Sequence, residues 1–401
     1  MAEDPEEEHG FLGFSRTIYL LGTSNLVMSA GRSAAWLFLP ILLYTAYDLS
    51  FLYVGALVSL VIPVSLLAGV LGGAASDRYG RRAFVAYPPL GSAVVSLLLY
   101  EFWDRGLPVV VGLWAANMFL SNVGGGAQNA LMTDVSTEAR RMRVFSVLRI
   151  FGNVGFAIAP ALGGLLASQF GIPIVFLIAS IATLAGGLLL SVFLEETHGE
   201  DARTTRPLGE TASFPFHDSM FLALGVLGIG LTIAAGQFGT ALTLFSVGVR
   251  HFSYEQVGWL YSVNGILVVT LQMPIAWGLR RRHLVWMAFG VLCYGAAYML
   301  AYAGTEYAVF LVAMGILTIG ENVVSPLQNT IVAALATSET RGSYFGGYSA
   351  VTNAANIFAP SLGTLLLSTG NSLALWGTFA ALTVVVAVGY LLLQRRLPQL
   401  P

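Results

Sequence analysis

Two charged side chains stand where the chain is otherwise apolar: Arg32 in "MSAGRSAAWLFLP" and Glu321 in "LTIGENVVSP". A charge at the middle of a membrane helix costs about 2.5–3.5 kcal/mol on insertion scales, so each residue needs a compensating role. Three roles suit them. The pair can form a buried salt bridge that joins two parts of the chain. Glu321 can carry a proton, because lost hydration and a nearby arginine pull its ionisation in opposite directions and make it respond to occupancy. Arg32 can bind an anionic group through its fork of donors. The last two are compatible. An anion that draws Arg32 away leaves Glu321 free to take a proton, whereas a cation at Glu321 competes with the proton.

Other chemistry has no residues to perform it. There is no phosphate-cradling glycine loop, no metal-ligand cluster and no nucleophile triad, and His9, His198, His217, His251 and His283 fall in tails, loops or helix ends. Cys293 is the only cysteine and sits in an apolar run, so an intramolecular disulfide is impossible. We therefore expect no catalytic residues, no metal, no cofactor and no enzymatic activity. The formal net charge of −2 gives no reason to expect a nucleic-acid partner.

The elements that would hold Arg32 and Glu321 follow from composition. The chain has 401 residues, 56% hydrophobic and 10% charged, whereas a soluble domain carries about 25% charged residues. Apolar runs such as "IPIVFLIASIATLAGGLLLSVFL" reach the roughly 20 residues that span a bilayer as a helix, and about twelve such runs follow one another. The first begins behind "MAEDPEEEHG", which lacks the basic start of a cleaved signal peptide and is read as preceding a retained span. Every Lys/Arg position is arginine, and the arginines fall on alternate loops: Arg78, Arg81 and Arg82; Arg140, Arg141 and Arg143; Arg203 and Arg206; Arg280, Arg281 and Arg282; Arg341; Arg395 and Arg396. Arg105 and Arg250 lie on the other side. By the positive-inside rule both termini are cytoplasmic, which places a multi-pass protein in the cell (inner or plasma) membrane.

The expected organisation is an acidic cytoplasmic tail (1–14), an N-terminal six-helix bundle (15–194), a cytoplasmic linker (195–217), a C-terminal six-helix bundle (218–394) and a short cytoplasmic tail (395–401). A repeat supports the halving. "RMRVFSVLRIFGNVGFAIAPALG" (141–163) lies over "RGSYFGGYSAVTNAANIFAPSLG" (341–363), sharing Phe145 with Phe345, Asn153 with Asn353 and the Ala-Pro-x-Leu-Gly ending. Asn122, Gln128 and Asn129 likewise fall on Asn322, Gln328 and Asn329.

Charge concentrates in "GGAASDRYGRR" (72–82), the turn between the second and third spans. Gly69, Gly72 and Gly73 leave a helix face bare for close approach of another helix, and Gly80 permits a reversal. Gly73-x-x-x-Asp77-Arg78-x-Gly80-Arg81-Arg82 resembles the loop signature of the major facilitator superfamily, whose members are twelve-helix secondary transporters built from two pseudo-symmetric six-helix bundles. The resemblance covers almost the whole chain. It implies an all-α integral membrane fold and a conformational latch, in which Asp77 meets the N-terminal end of helix 11 near Gly342 and Arg81 pairs with Asp134. A role in fixing topology alone is the alternative reading.

Gly155-x-x-x-Ala159-Pro160-x-x-Gly163-Gly164 resembles a helix-5 motif of the proton-driven drug antiporter branch, with Ala159 in place of glycine. The motif is expected to give a bend and a small-residue surface packed across the interface between halves. Because Ala359-Pro360-x-x-Gly363 repeats much of it, part of the signal is architectural. In the family, helices 1, 4, 7 and 10 line a central cavity, which puts Arg32 and Glu321 at the substrate site with Asn25, Asn122, Gln237 and Asn322 as neighbours. The family's usual helix-4 arginine is missing. The expected function is alternating-access transport, proton-coupled efflux of a small organic or drug-like molecule, by a monomer whose partners are substrate, protons and the lipid bilayer. Symport of a small organic anion, and a transporter-like receptor that moves nothing, are the alternatives.

Overall fold

The computed structural model describes residues 15–136, 138–196, 215, 217–279, 282–336 and 340–396. Among these, twelve helices are long and apolar enough to cross a membrane. In chain order they are α1 (Arg16–Thr45), α2 (Phe51–Tyr79), α3 (Arg81–Phe102), α4 (Leu107–Asp134), α5 (Glu138–Phe170) and α6 (Ile174–Phe193). Then come α7 (Ser219–Gly248), α8 (Tyr254–Gly278), α9 (His283–Ala303), α10 (Tyr307–Leu335), α11 (Arg341–Ser368) and α12 (Ser372–Arg396). Hydrocarbon offers no hydrogen bonds, so apolar runs of this length satisfy their own backbone as helices. The fold is all-α, as expected, with spans ending within a few residues of where charge or turn residues interrupt the apolar runs. The acidic tail, most of the 195–217 linker, Arg203, Arg206, Arg280 and Arg281 lie outside the described residues, as do the side chains of Arg140, Arg141, Arg143, Arg341 and Arg396.

Local chemistry sets the helix ends. Gly80 precedes α3 at φ 102°, a conformation that strains any side chain. Ser253 caps α8 in a reciprocal pair: its Oγ accepts from the Gln256 N–H at 3.2 Å, and its own N–H donates to Gln256 Oε1 at 3.0 Å. Asp218 caps α7, accepting from the N–H groups of Met220 (2.8 Å) and Phe221 (3.3 Å), while the Tyr344 hydroxyl donates to its Oδ2 at 2.7 Å. Burial pushes this carboxyl up, but the hydrogen bonds from Tyr344, Met220 and Phe221 outweigh it and hold the group below its usual range.

Two helices break inside their spans. α4 is interrupted at Gly124, and α7 contains a 3-10 turn at Gly236–Phe238. Prolines at 40, 63, 88, 89, 160, 274, 326 and 360 lie within helices, each removing one backbone hydrogen bond.

The helices gather into two compact units. The first holds α3 to α6 with α1 as far as Phe38 and α2 from Val61. Its core includes Leu21, Met28, Val85, Leu131, Leu148 and Leu190, drawn from α1, α3, α4, α5 and α6. The second holds α7 to α12 together with Leu39–Leu60, the adjoining ends of α1 and α2. Within it Trp376 is fully buried, stacked on Tyr298 with centroids 5.1 Å apart and set edge-on to Phe245 at 5.3 Å. The 39–60 segment is seated there by the Ser59 and Ser361 hydroxyls, 2.7 Å apart, and by the bare backbone of Gly55 against Thr364. The α4–α6 pattern returns about 200 residues later as α10–α12, with Pro160 and Pro360 at matching places.

Candidate functional site

Glu321 sits midway along α10, half-buried, and the second unit builds a polar cluster around it. Asn264 on α8 is 3% exposed, and its Nδ2 donates to Glu321 Oε2 at 3.0 Å and to Thr318 Oγ1 at 2.9 Å. Thr318, wholly buried, donates in turn to the Met314 carbonyl at 2.7 Å. Thr318 and Glu321 are three residues apart and so share a face of α10. On the α9 side the helices touch backbone to backbone: a Cβ on Gly320 would lie 2.6 Å from the Gly290 carbonyl and 3.0 Å from Cys293 Cβ. Sequence reasoning missed Asn264 and Thr318, although an amide inside "YSVNGILVV" and a hydroxyl one turn from the acid were signals to be read.

The other expected substrate contacts of the second unit are Asn322 and Gln237. Asn322, next to Glu321 and therefore turned about 100° around the helix, is 2% exposed, with its amide 3.5 Å from the Leu267 carbonyl. Gln237 has no exposed surface; its Nε2 donates to the carbonyls of Ile233 (2.7 Å) and Ala359 (3.1 Å). The 3-10 turn swings Gln237 toward α11, where Gly363 leaves room for the amide, and any Cβ there would collide with it. Gln237 and Asn322 thus each hydrogen-bond to the backbone of a neighbouring helix.

In the first unit Arg32 is half-buried on α1 and, among the described residues of that unit, donates no hydrogen bond. Asn25 donates to the Leu148 carbonyl of α5 at 3.2 Å, and Ser29, one turn on, to the Gly152 carbonyl at 2.8 Å. Asn122 turns back on its own helix, donating to the Met118 carbonyl at 2.8 Å just before the α4 break.

The "GGAASDRYGRR" segment ties its own unit together. A Cβ on Gly72 would overlap the Val123 carbonyl, and one on Gly126 would lie 2.9 Å from Gly73 Cα, so α2 and α4 cross with backbones in contact. Arg81 forms an ion pair with Asp134, as the loop signature led us to expect, and donates to the Ala130 carbonyl at 3.2 Å. Arg82 reaches the Ser191 carbonyl on α6 at 2.9 Å. Glu196 receives the backbone N–H groups of Arg81 (3.1 Å) and Arg82 (3.2 Å), an anion seated on the N-terminal end of α3. Asp77 and Arg78 are exposed, Arg78 resting 5.6 Å from the Tyr79 ring centre.

Within the first unit the helix-5 motif packs against α1. A Cβ on Gly155 would collide with the Leu26 carbonyl and approach Ala30 N at 3.0 Å, and one on Gly163 would lie 3.0 Å from Ala34 Cβ. These contacts are all to α1 inside the first unit, and Ala159, Pro160 and Gly164 are buried beside them in sequence. Gly363 meets Gln237 and Ala241 of α7 in the same manner. Within each unit the small residues therefore serve α5–α1 and α11–α7 packing.

Comparison with known proteins agrees with this architecture. The family model described as Major Facilitator Superfamily matches residues 21–336 and 251–401. A Na(+), Li(+), K(+)/H(+) antiporter of Planococcus maritimus is 23% identical, over 82% of this chain and 85% of the relative. The class C tetracycline resistance protein of Escherichia coli is 24% identical over 82% and 85%. A crystal structure of a POT family transporter in complex with 5-aminolevulinic acid superposes with a TM-score of 0.79 at 15% identity, covering 98% of each chain, a likeness of fold alone.

Proposed function

The chain belongs to the Major Facilitator Superfamily and is a secondary transporter rather than an enzyme; from that premise we propose that it is a proton-coupled antiporter, exporting a small organic or drug-like molecule by alternating access. The observation that carries this reading is the half-buried Glu321 carboxylate, held deep in α10 by the buried Asn264 amide. An acid in such a place has poor access to water and takes up or gives up a proton only when the path to one side is open. In the proposed cycle, Glu321 loses its proton toward the cytoplasm as a cationic substrate binds. The carrier turns outward, the substrate leaves, and a proton from outside takes its place. The antiporter and tetracycline-resistance relatives support this direction of transport.

In this reading two six-helix bundles, 15–194 and 218–394, rock about the substrate, with both termini in the cytoplasm of a cell-membrane monomer. Asp77 latches onto the start of α11 in the outward-open state, and the Arg81–Asp134 pair keeps the loop rigid for that contact. Arg32 favours a second reading, since a guanidinium with no hydrogen bond inside its own unit suits an anionic substrate carried with the proton.

Everted vesicles containing the protein distinguish these. An imposed acid-inside gradient should drive accumulation of an organic cation such as ethidium or tetraphenylphosphonium. Gradient-driven movement of organic anions in the direction of the protons would establish symport instead, and no gradient-dependent movement of any probe would remove proton coupling.

A further inference from the structure

We propose that Asn264 is a positioning residue for proton transfer, its amide fixing the Glu321 carboxylate against α8 and favouring the ionised acid; this rests on Glu321 being the coupling group. The hydrogen-bond directions leave the amide one orientation. Thr318 gives its hydroxyl proton to Met314, so it meets Asn264 as an acceptor, and an ionised carboxylate can only accept. Both Nδ2 protons are therefore spent on α10, one on each of two side chains a turn apart. At 3% exposure Asn264 has almost no contact with solvent, so water does not compete for them.

The surroundings make this contact consequential. From α8 the group facing Glu321 is Asn264 itself, and from α9 Cys293 and Tyr294 lie beside the adjoining Gly320, at 3.0 and 3.5 Å from where its Cβ would be. No other Asp, Glu, Lys or Arg occurs in the middle of α7 to α12. Asn264 thus meets the acid as a neutral donor. A guanidinium or ammonium in the same position would hold the carboxylate ionised throughout the cycle, whereas a single amide biases it by about tenfold and leaves it able to reprotonate. Because Thr318 fixes the amide, loss of its hydroxyl should loosen the same contact.

Infrared difference spectroscopy of the purified, full-length protein tests this without a known substrate, by following the protonated-carboxyl band as pH is varied. Glu321→Gln identifies the band by removing it. Asn264→Ala should move its midpoint upward by about one pH unit. Asn264→Asp, which keeps the shape but faces Glu321 with a second acid, should move it further the same way, and Thr318→Val by less. If Glu321→Gln removes no titrating band, Glu321 is not the coupling acid and the positioning role falls with it. If the band is present but its midpoint stays put in both Asn264 variants, the positioning role alone is wrong.

Discussion

The crossing of α2 over α4 allows a prediction in which two adjacent glycines behave differently. A methyl group on Gly72 would overlap the Val123 carbonyl, which belongs to backbone and cannot rotate away, whereas one on Gly73 would find only Gly126 Cα at 4.0 Å, an ordinary contact. Overpacking of this kind costs about 1–3 kcal/mol. Replacing glycine by alanine inside a helix returns about 0.5–1 kcal/mol in either case. That gain cancels when the two variants are compared, so the difference between them measures the clash: Gly72→Ala should be less stable than Gly73→Ala by about 1–3 kcal/mol. Gly126→Ala, whose Cβ would lie 2.9 Å from Gly73 Cα, should resemble Gly72→Ala. Unfolding of the detergent-solubilised variants by mixed-micelle denaturant titration, followed by tryptophan fluorescence and circular dichroism, gives the ordering. Equal stability of Gly72→Ala and Gly73→Ala would refute the backbone-contact account, even though Gly73 is the glycine that belongs to the loop signature.

Three further outcomes follow from the contacts. Arg81→Ala removes the ion pair with Asp134 and the hydrogen bond to the Ala130 carbonyl, and should lower the apparent melting temperature more than Arg78→Ala, whose side chain is exposed; a fluorescence melt checks the order. Gln237→Leu, which fills the same space without the two carbonyl contacts, should reduce stability by about 1–2 kcal/mol while leaving the order of preference among transported probes unchanged; an altered preference would restore Gln237 to the substrate site. Because the folded Asp218 carboxyl is held below its usual range, its contribution is present above about pH 4 and lost as pH falls below that. Asp218→Asn should therefore flatten the acid limb of a stability-versus-pH curve and leave its slope between pH 6 and 8 unaltered.

Much of the fold was legible because hydrocarbon imposes a simple rule, and apolar runs ended by Asp77, Arg105 or Asp134 mark spans almost unaided. Glu321 was legible for the same reason, as a charge where none is expected. Direction around each helix was not. α7 and α10 are apolar on nearly every side, so no polar stripe fixes which way Gln237 or Asn322 points, and their hydrogen bonds to the Ala359 and Leu267 carbonyls became visible only in the structure. The breaks at Gly124 and Gly236–Phe238 were hidden because glycine, at 45 residues, is spread through the spans and marks close packing as often as interruption. The helix-5 motif showed that a close contact existed, and small residues carry no information about which helix supplies the other side. Asn264 and Thr318 were passed over because neutral polar residues in spans are common, and only their meeting at Glu321 sets these two apart.

The most direct measurement follows protons rather than substrate. Proteoliposomes loaded with a pH-sensitive dye and given an organic cation that the wild-type protein accumulates should show a matching movement of protons in the opposite direction, absent in Glu321→Gln, which should still exchange labelled for unlabelled cation. Proton movement that persists undiminished in Glu321→Gln would contradict the account.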